Sequence, residues 1–284
     1  MQLFISTGGF KNFPTKSINY LYNNGIRNIE ISGGKFEKKL KEKILQKRNK
    51  INFNVHNYIP FFKKPFVFNL SSSNKYISSR SIKMAKKSIN LISELNMGPK
   101  YYAFHAGFLF DPKIDMLGDK PVPKTIFNRK DAINRFLKNI KVLISYAKKK
   151  KVKLLIENNV VSRNQFKKYN YIPLMSDIKE TEIIMKKIGN DVGILLDFGH
   201  LNVSSKSLNF SKKKYINKIN KYIKAYHLSD NDRLTDQNKS FTKKCWFWKY
   251  IKKDAHFCTI EVYTYNLNLI KKLVNITSNK LSNL

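Results

Sequence analysis

Short apolar segments alternate with longer amphipathic segments along the whole chain. Eight short segments have the length and the Ile, Val, Phe or Tyr content of strands: 2–6, 26–32, 51–56, 101–107, 152–158, 192–198, 223–229 and 257–263. Helical spacing of apolar residues marks 15–25, 35–47, 79–98, 129–151, 176–189, 242–253 and 266–277, with a further helix near 211–222. Strands that alternate with helices build parallel βαβ units, and eight such units predict a (β/α)8 TIM barrel. No linker-like segment interrupts the pattern, so we expect a single domain over residues 1–284.

The composition is that of a folded chain without a membrane segment. Hydrophobic residues make up 42% of the sequence, which is enough to form a core, and no apolar run approaches the roughly 20 residues of a membrane span. The first residues lack a basic segment followed by an apolar one, so we expect no signal peptide. Cys245 and Cys258 form neither a disulfide framework nor a CxxC pair. Two isolated cysteines suit a reducing compartment, and we expect a cytoplasmic protein.

The formal net charge of +36 raises the question of nucleic-acid binding. The basic residues are 48 lysines and only 7 arginines, whereas bidentate recognition of phosphates and bases favours arginine. The lysines are also spread along the whole chain, among many Asn and Ile residues. We interpret the charge as a compositional bias on an ordinary solvated surface, and we expect no nucleic-acid partner.

Ionisable residues stand at the carboxyl ends of the predicted strands. Four of the five histidines and three carboxylates lie at or just beyond these ends: His56, His105, Glu157, Asp197, His200, His227 and Glu261. In a TIM barrel these ends meet on one face, where active sites are built. A single such residue is more often structural, but seven on six strand ends predict a site for a divalent metal, which would compensate the buried carboxylates. Glu30 on strand 2 is expected to point inward or to form a buried ion pair.

Six motifs together resemble the xylose-isomerase-like TIM-barrel superfamily. They are "NVHNYIP", "FHAGF", "LLIENN", "LLDFGHLN", "YHLSDND" and "TIEVY", and they cover strands 3 to 8, roughly residues 51–263. The superfamily contains sugar and sugar-phosphate isomerases and epimerases, and also abasic-site nucleases of the endonuclease IV type. The individual motifs are loose, whereas their order and spacing are specific.

The resemblance implies a divalent metal ion, which could be Mn, Zn, Co or Mg, held by Glu157, Asp197, His227 and Glu261. In the isomerases and epimerases of the superfamily, two of the ligand glutamates also move protons, and these match Glu157 and Glu261. Two carboxylates on opposite faces of a substrate can remove and return a proton through an enediolate. This implies an isomerase or epimerase acting on a small sugar or sugar phosphate, with a homo-oligomer as a possible assembly.

The nuclease branch implies further metal ligands, and one of them is missing here. His56 and His105 match its histidines on strands 3 and 4, and could also hold a second metal or contact substrate. His200 and Asp236 match two ligands of its third metal, but the remaining histidine position holds Asn238. Because an amide is a poor substitute for imidazole toward zinc, the sequence favours the isomerase or epimerase, with an abasic-DNA phosphodiesterase as the alternative.

Overall fold

Eight parallel strands close into a barrel in sequential order, from β1 beside β2 round to β8 beside β1. The computed structural model describes residues 1–118 and 120–283. The strands are β1 Gln2–Ser6, β2 Asn28–Ile31, β3 Asn52–His56, β4 Tyr101–His105, β5 Lys153–Glu157, β6 Val192–Asp197, β7 Ile223–Leu228 and β8 Phe257–Ile260. The predicted (β/α)8 TIM barrel is therefore confirmed.

Helices surround this barrel. They are α1 Pro14–Asn23, α2 Leu40–Leu45, α3 Lys75–Glu94, α4 Arg129–Lys149, α5 Arg163–Tyr169, α6 Ile178–Ile188, α7 Phe198–Ser207, α8 Lys212–Ile219 and α9 Leu267–Ser282. In the described part of the chain, none of these helices has the length and hydrophobicity to cross a membrane. A large apolar core fills the space between the helices and the outer face of the strands.

The predicted helix over 242–253 is wrong. This segment forms only a 3-10 turn at Trp248–Tyr250. Its aromatic side chains are used for packing in several directions: Phe247 stacks on Phe198 with ring centroids 5.1 Å apart, and Trp248 Nε1 donates to the Thr242 carbonyl at 2.9 Å. The apolar residues of 242–253 are therefore spaced as in a helix, but each of them packs at a separate point along a long β7–β8 connection.

Two other connections contain more helix than the sequence pattern predicts. Helix α7 begins directly after β6, where we expected the strand to continue to residue 198. Helix α5 lies inside 158–175, which has no apolar periodicity, and the Ser162 side chain caps it by accepting from the Gln165 amide. The other long connection, 107–128, contains a 3-10 turn at Ile114–Met116.

Alternate residues of the strands point into the barrel, and they change character along its axis. Near the amino-terminal end the interior is an apolar plug of Phe4, Tyr101, Ala103, Leu155, Leu195, Ala225 and Phe257. Because the side chains of a strand alternate between its faces, the residue two positions after each plug residue also points inward. On β4 to β7 those residues are His105, Glu157, Asp197 and His227.

Asn158 ties the carboxyl ends of β5 and β6 together. Its Oδ1 accepts from the Asp197 amide at 2.8 Å, and its Nδ2 donates to the Asp197 carbonyl at 3.0 Å. The side chain is buried, so water cannot replace either bond. This pair of hydrogen bonds sets the position of Asp197 next to Glu157.

We expect Asn158→Ala to lower the free energy of unfolding by about 1–3 kcal/mol, because it leaves the buried amide of Asp197 without its Asn158 partner. Chemical denaturation in the presence of a chelator measures this change without a contribution from bound metal. The control is Asn279→Ala on the exposed surface of α9, where alanine is the better helix former and the stability should be unchanged or slightly higher. Equal stability of the two variants would contradict the proposed tie.

Candidate metal centre

The four residues that the resemblance implies as metal ligands meet at the carboxyl end of the barrel. Each of Glu157, Asp197, His227 and Glu261 offers one ligand atom, and these atoms all lie within 4.8 Å of one another. All four residues are buried. They come from β5, β6, β7 and the position after β8, so the barrel closure brings together residues that are up to 104 positions apart in the sequence.

His227 stands at the middle of this cluster. Its Nδ1 lies 3.0 Å from Glu261 Oε2, 3.2 Å from Glu157 Oε1 and 3.7 Å from Asp197 Oδ2. The side chain is fully buried. One ring nitrogen of His227 therefore faces the same space as an oxygen of each of three carboxylates.

The other ring nitrogen of His227 faces Glu30 on β2. His227 Nε2 lies 3.0 Å from Glu30 Oε1, and the second oxygen of Glu30 accepts from Asn54 Nδ2 at 2.8 Å and from Thr259 Oγ1 at 2.9 Å. Glu30 is fully buried. Neither His227 Nε2 nor Glu30 Oε1 makes a hydrogen bond of acceptable geometry, but the negative charge of Glu30 at this distance favours the tautomer with the proton on Nε2, which leaves Nδ1 able to act as a ligand.

The donor atoms fit a divalent cation. Glu157 Oε1, Asp197 Oδ2 and His227 Nδ1 are buried, and none of them makes a hydrogen bond of acceptable geometry. Buried polar atoms are normally satisfied, so three unsatisfied atoms directed at one space indicate a missing partner. Three carboxylates and one imidazole are a ligand set suited to Mn, Zn, Co or Mg, and the ion would supply the positive charge that the carboxylates need.

The buried ionisable groups of the cluster shift one another's pKa values. Burial by itself would raise the pKa of Glu157, but His105, His56 and His227 outweigh it and hold that pKa well below the usual value. Burial opposes the charging of His227, yet Glu30, Glu261 and Glu157 together raise its pKa well above the usual value. Burial raises the pKa of Glu261, although His227 opposes the shift. The three shifts have one physical origin, because a single imidazole faces several buried carboxylates.

His56 and His105 form a second group of donors around Glu157. Their Nε2 atoms lie 2.6 Å and 3.2 Å from Glu157 Oε2, whereas His227 Nδ1 contacts the other oxygen, Oε1. The three residues form a group that could hold a metal ion. Burial lowers the pKa of His105 to about 4 despite the nearby Glu157, so this imidazole is neutral and able to act as a ligand or as a hydrogen-bond partner.

The third site of the nuclease branch is incomplete. His200 lies in the first turn of α7, not at the end of a strand, and its Nε2 is 3.3 Å from Asp236 Oδ2. The two side chains are therefore in contact, and their role as metal ligands stays a prediction. Asn238 is buried and donates from Nδ2 to the Glu261 carbonyl at 3.1 Å. Its side chain supports the backbone after β8 in place of a third ligand.

A cavity of about 410 Å³ opens beside the centre. Its lining includes Ser32, Asn57, His105, Phe108 and Tyr263. The sequence predicts His105 as a site residue and leaves Phe108 as either part of an apolar wall or a packing residue, whereas Ser32, Asn57 and Tyr263 were missed. Tyr263 is held by the "STGGF" turn, since a Cβ at Gly9 would lie 2.8 Å from the Tyr263 Cα. The glycines after β1 and β2 are a sequence signal that could have located this wall, because glycine allows a close approach of the backbone.

Comparisons with solved structures agree with this architecture. A D-tagatose 3-epimerase-like protein superimposes with a TM-score of 0.74 at 16% identity, covering 99% of this chain and 97% of its own. The 3-keto-D-glucoside 4-epimerase of E. coli superimposes with a TM-score of 0.67 at 14% identity. The D-psicose 3-epimerase of Clostridium cellulolyticum H10 superimposes with a TM-score of 0.64 at 12% identity. Each superposition covers 99% of this chain and 99% of the other chain. At these identities the likeness establishes the fold.

Sequence comparison identifies the family more directly. No curated protein is similar enough in sequence to count as a match. The family model described as xylose isomerase-like TIM barrel matches residues 22–258, a range that contains β2 to β7, all the motifs before β8 and three of the four clustered ligand residues. The chain belongs to the xylose isomerase-like TIM barrel family.

Proposed function

We propose that this protein is a metal-dependent sugar isomerase or epimerase. The observation that carries the proposal is the convergence of Glu157, Asp197, Glu261 and His227 Nδ1 on one buried space beside an open cavity. The structural neighbours that are named as epimerases of ketoses and keto-sugars support the same class. The unsatisfied donor atoms support the dependence on a divalent metal.

The two glutamates are proposed to move the proton. When bound, a divalent ion would polarise the carbonyl and the adjacent hydroxyl of a sugar and so acidify the C–H of the carbon that carries this hydroxyl. Glu157 belongs to β5 and Glu261 follows β8, so their carboxylates approach the centre from different sides. One carboxylate removes the proton from one face of the substrate, and the other returns a proton to the opposite face or to the neighbouring carbon.

A phosphodiesterase acting on abasic DNA is the second candidate. The observation that favours it is the group of His56, His105 and Glu157, which would share Glu157 with the first centre. The use of Asn238 as a backbone support weighs against it, because a trinuclear centre would lack one ligand. The low arginine content of the chain weighs in the same direction.

We expect Glu157→Gln and Glu261→Gln each to lower turnover by about 10²–10⁴-fold, because the amide keeps an oxygen donor but cannot accept the proton. Asp197→Asn should mainly lower metal occupancy, because it weakens a ligand that is not a proposed base. Metal content, product formation and exchange of the substrate C–H with solvent deuterium are measured together for the three variants. One glutamine variant should retain exchange without forming product. Full activity in both would exclude this acid–base pair.

We expect Glu30→Gln to weaken metal binding about 10–100-fold. The amide must offer its oxygen to the donors Asn54 and Thr259, so its NH₂ group faces His227 Nε2 and favours the tautomer with the proton on Nδ1. Titration of the chelator-treated protein with Mn²⁺ or Zn²⁺ measures the affinity. The control is Glu94→Gln, a surface carboxylate paired with Lys41, which should bind metal as the wild type does. An unchanged affinity in Glu30→Gln would show that this carboxylate does not control the ligand.

If the positive charge is compositional, duplex DNA should bind weakly and with strong salt dependence, and an abasic site should not improve binding. Gel-shift and cleavage assays with matched intact and abasic duplexes, in the presence of Zn²⁺ or Mn²⁺, test this expectation. Efficient cutting of the abasic duplex at physiological salt would establish the second candidate in place of the first.

A further inference from the structure

A second cavity, of about 590 Å³, opens at the amino-terminal end of the barrel. Residues at the beginning of β4, β5, β6 and β7 line it, whereas the candidate metal centre lies at the carboxyl ends of the strands. Tyr101 and Leu155 belong both to this lining and to the apolar plug, and Glu157 lies two residues beyond Leu155 on the same face of β5. The plug therefore separates this amino-terminal cavity from the centre, and a ligand bound there has no part in the proposed reaction.

Lys153 and His256 lie against the same aromatic ring of this cavity. Lys153 is the register partner of Tyr101, and it lies on the same face of β5 as Leu155, so its side chain extends over the mouth of the barrel. Its Nζ lies 5.9 Å from the centroid of the Tyr101 ring. The His256 ring also contacts Tyr101, with the two ring centroids 5.1 Å apart. An ammonium group and an imidazole therefore flank one tyrosine of the lining.

An irregularity in the sheet directs Lys224 to the same place. The pairing of β6 with β7 shifts in register between Ile194 and Leu195, and the shift leaves Lys224 without a partner on β6. Such a bulge redirects a side chain. On β6, Gly193 leaves the space that the lysine stem occupies, since a Cβ at Gly193 would lie 2.6 Å from Lys224 Cγ. A compositional excess of lysine explains side chains that extend into solvent, but it does not explain a lysine stem that packs over the mouth of the barrel.

The lining carries more positive than negative charge. Five of its seventeen described residues are lysines, and Asp191 is the only carboxylate among them. Asp191 is already engaged, since its Oδ1 lies 2.6 Å from Lys148 Nζ. The lysines that form ion pairs in the described part of the chain do not include Lys153 or Lys224. Because a cleft lined by one sign of charge concentrates ions of the opposite sign, this cavity attracts anions.

His256 adds a neutral donor to the two ammonium groups. Burial lowers the pKa of His256, and the charges of Lys153 and Lys224 lower it further, although Asp254 opposes the shift. The imidazole is therefore uncharged at neutral pH and keeps one N–H group to donate. Two cations and one neutral donor thus face the same cavity.

We propose that the amino-terminal cavity binds a small phosphate monoester, with its phosphate between Lys153, Lys224 and His256. Such a phosphate carries about 1.5–2 negative charges at neutral pH and has three acceptor oxygens. Two ammonium groups balance this charge, and the three donors satisfy the oxygens. A carboxylate or a phosphodiester carries only one charge and would leave one ammonium group uncompensated. The organic part of the ligand packs on the apolar lining, which includes Ile144 and Val152. The volume of the cavity is in the range of small-molecule sites, roughly 300–1,000 Å³.

Calorimetric titration of the full chain with four probes tests the ligand class. The probes are phenyl phosphate, inorganic phosphate, benzoate and phenol, and the protein is treated with a chelator so that no metal at the carboxyl end attracts anions. We expect phenyl phosphate to bind at least ~10-fold more tightly than each of the other three, because it alone combines a dianion with an apolar ring.

Two results of this titration would overturn the proposal. One is an affinity of benzoate, phenol or inorganic phosphate equal to that of phenyl phosphate, and the other is no measurable binding of phenyl phosphate. Neither result bears on the proposed isomerase or epimerase, because the plug separates the two ends of the barrel.

Charge variants locate the binding in the cavity. We expect Lys153→Gln and Lys224→Gln each to weaken the binding of phenyl phosphate about tenfold, because each removes one charge-assisted hydrogen bond. The control is Lys271→Gln on α9, an exposed residue outside the lining, which changes the net charge equally and should leave the affinity unchanged. All three variants should bind Mn²⁺ as the wild type does, which shows that the barrel is intact. An equal affinity for phenyl phosphate in the three variants would overturn the assignment to this cavity.

Discussion

The carboxyl-terminal half of the barrel interior depends on the compensation of buried negative charge. Glu30, Glu157, Asp197 and Glu261 surround one imidazole in a space from which water is largely excluded. Several carboxylates cannot remain ionised in such a place without a cation or strong donors. Asn54, Thr259, His56 and His105 supply donors from the neighbouring strands. A divalent ion bound by the unsatisfied atoms would compensate the rest of the negative charge.

The barrel and the position of its polar centre could be predicted because both follow from short-range patterns. The alternation of strand and helix signals determines the architecture, and the two-residue period of each strand determines which side chains enter the interior. On β5, for example, Leu155 belongs to the apolar plug, and Glu157, two residues later on the same face of the strand, points into the barrel above it. Barrel closure then places His227 of β7 next to Glu157 of β5, so this contact follows from the fold and needs no motif in the residues between them.

Other parts could not be predicted, because they depend on contacts that no local pattern contains. The aromatic residues of 242–253 have helical spacing, but their anchors on Phe198 and on the Thr242 carbonyl determine a different path. Likewise the contact of Glu30 with His227 joins β2 to β7 across the barrel, so the sequence could indicate an inward side chain but not its partner. The walls of the cavity beside the centre come from five separate connections, those after β1, β2, β3, β4 and β8, and their assembly exists only in the folded chain.

Asp197 has two tasks, and their combination affects how the site would exchange its metal. Its Oδ1 caps α7 by accepting from the His200 amide at 2.7 Å, while Oδ2 points toward the other donors. The capping bond fixes the carboxylate whether or not an ion is present, so the conformational entropy of this ligand is lost during folding and not during metal uptake. The site is thus preorganised by a helix terminus. The fraction of sites that hold a metal would depend on the free metal concentration, and the chain would rearrange little when an ion binds or leaves.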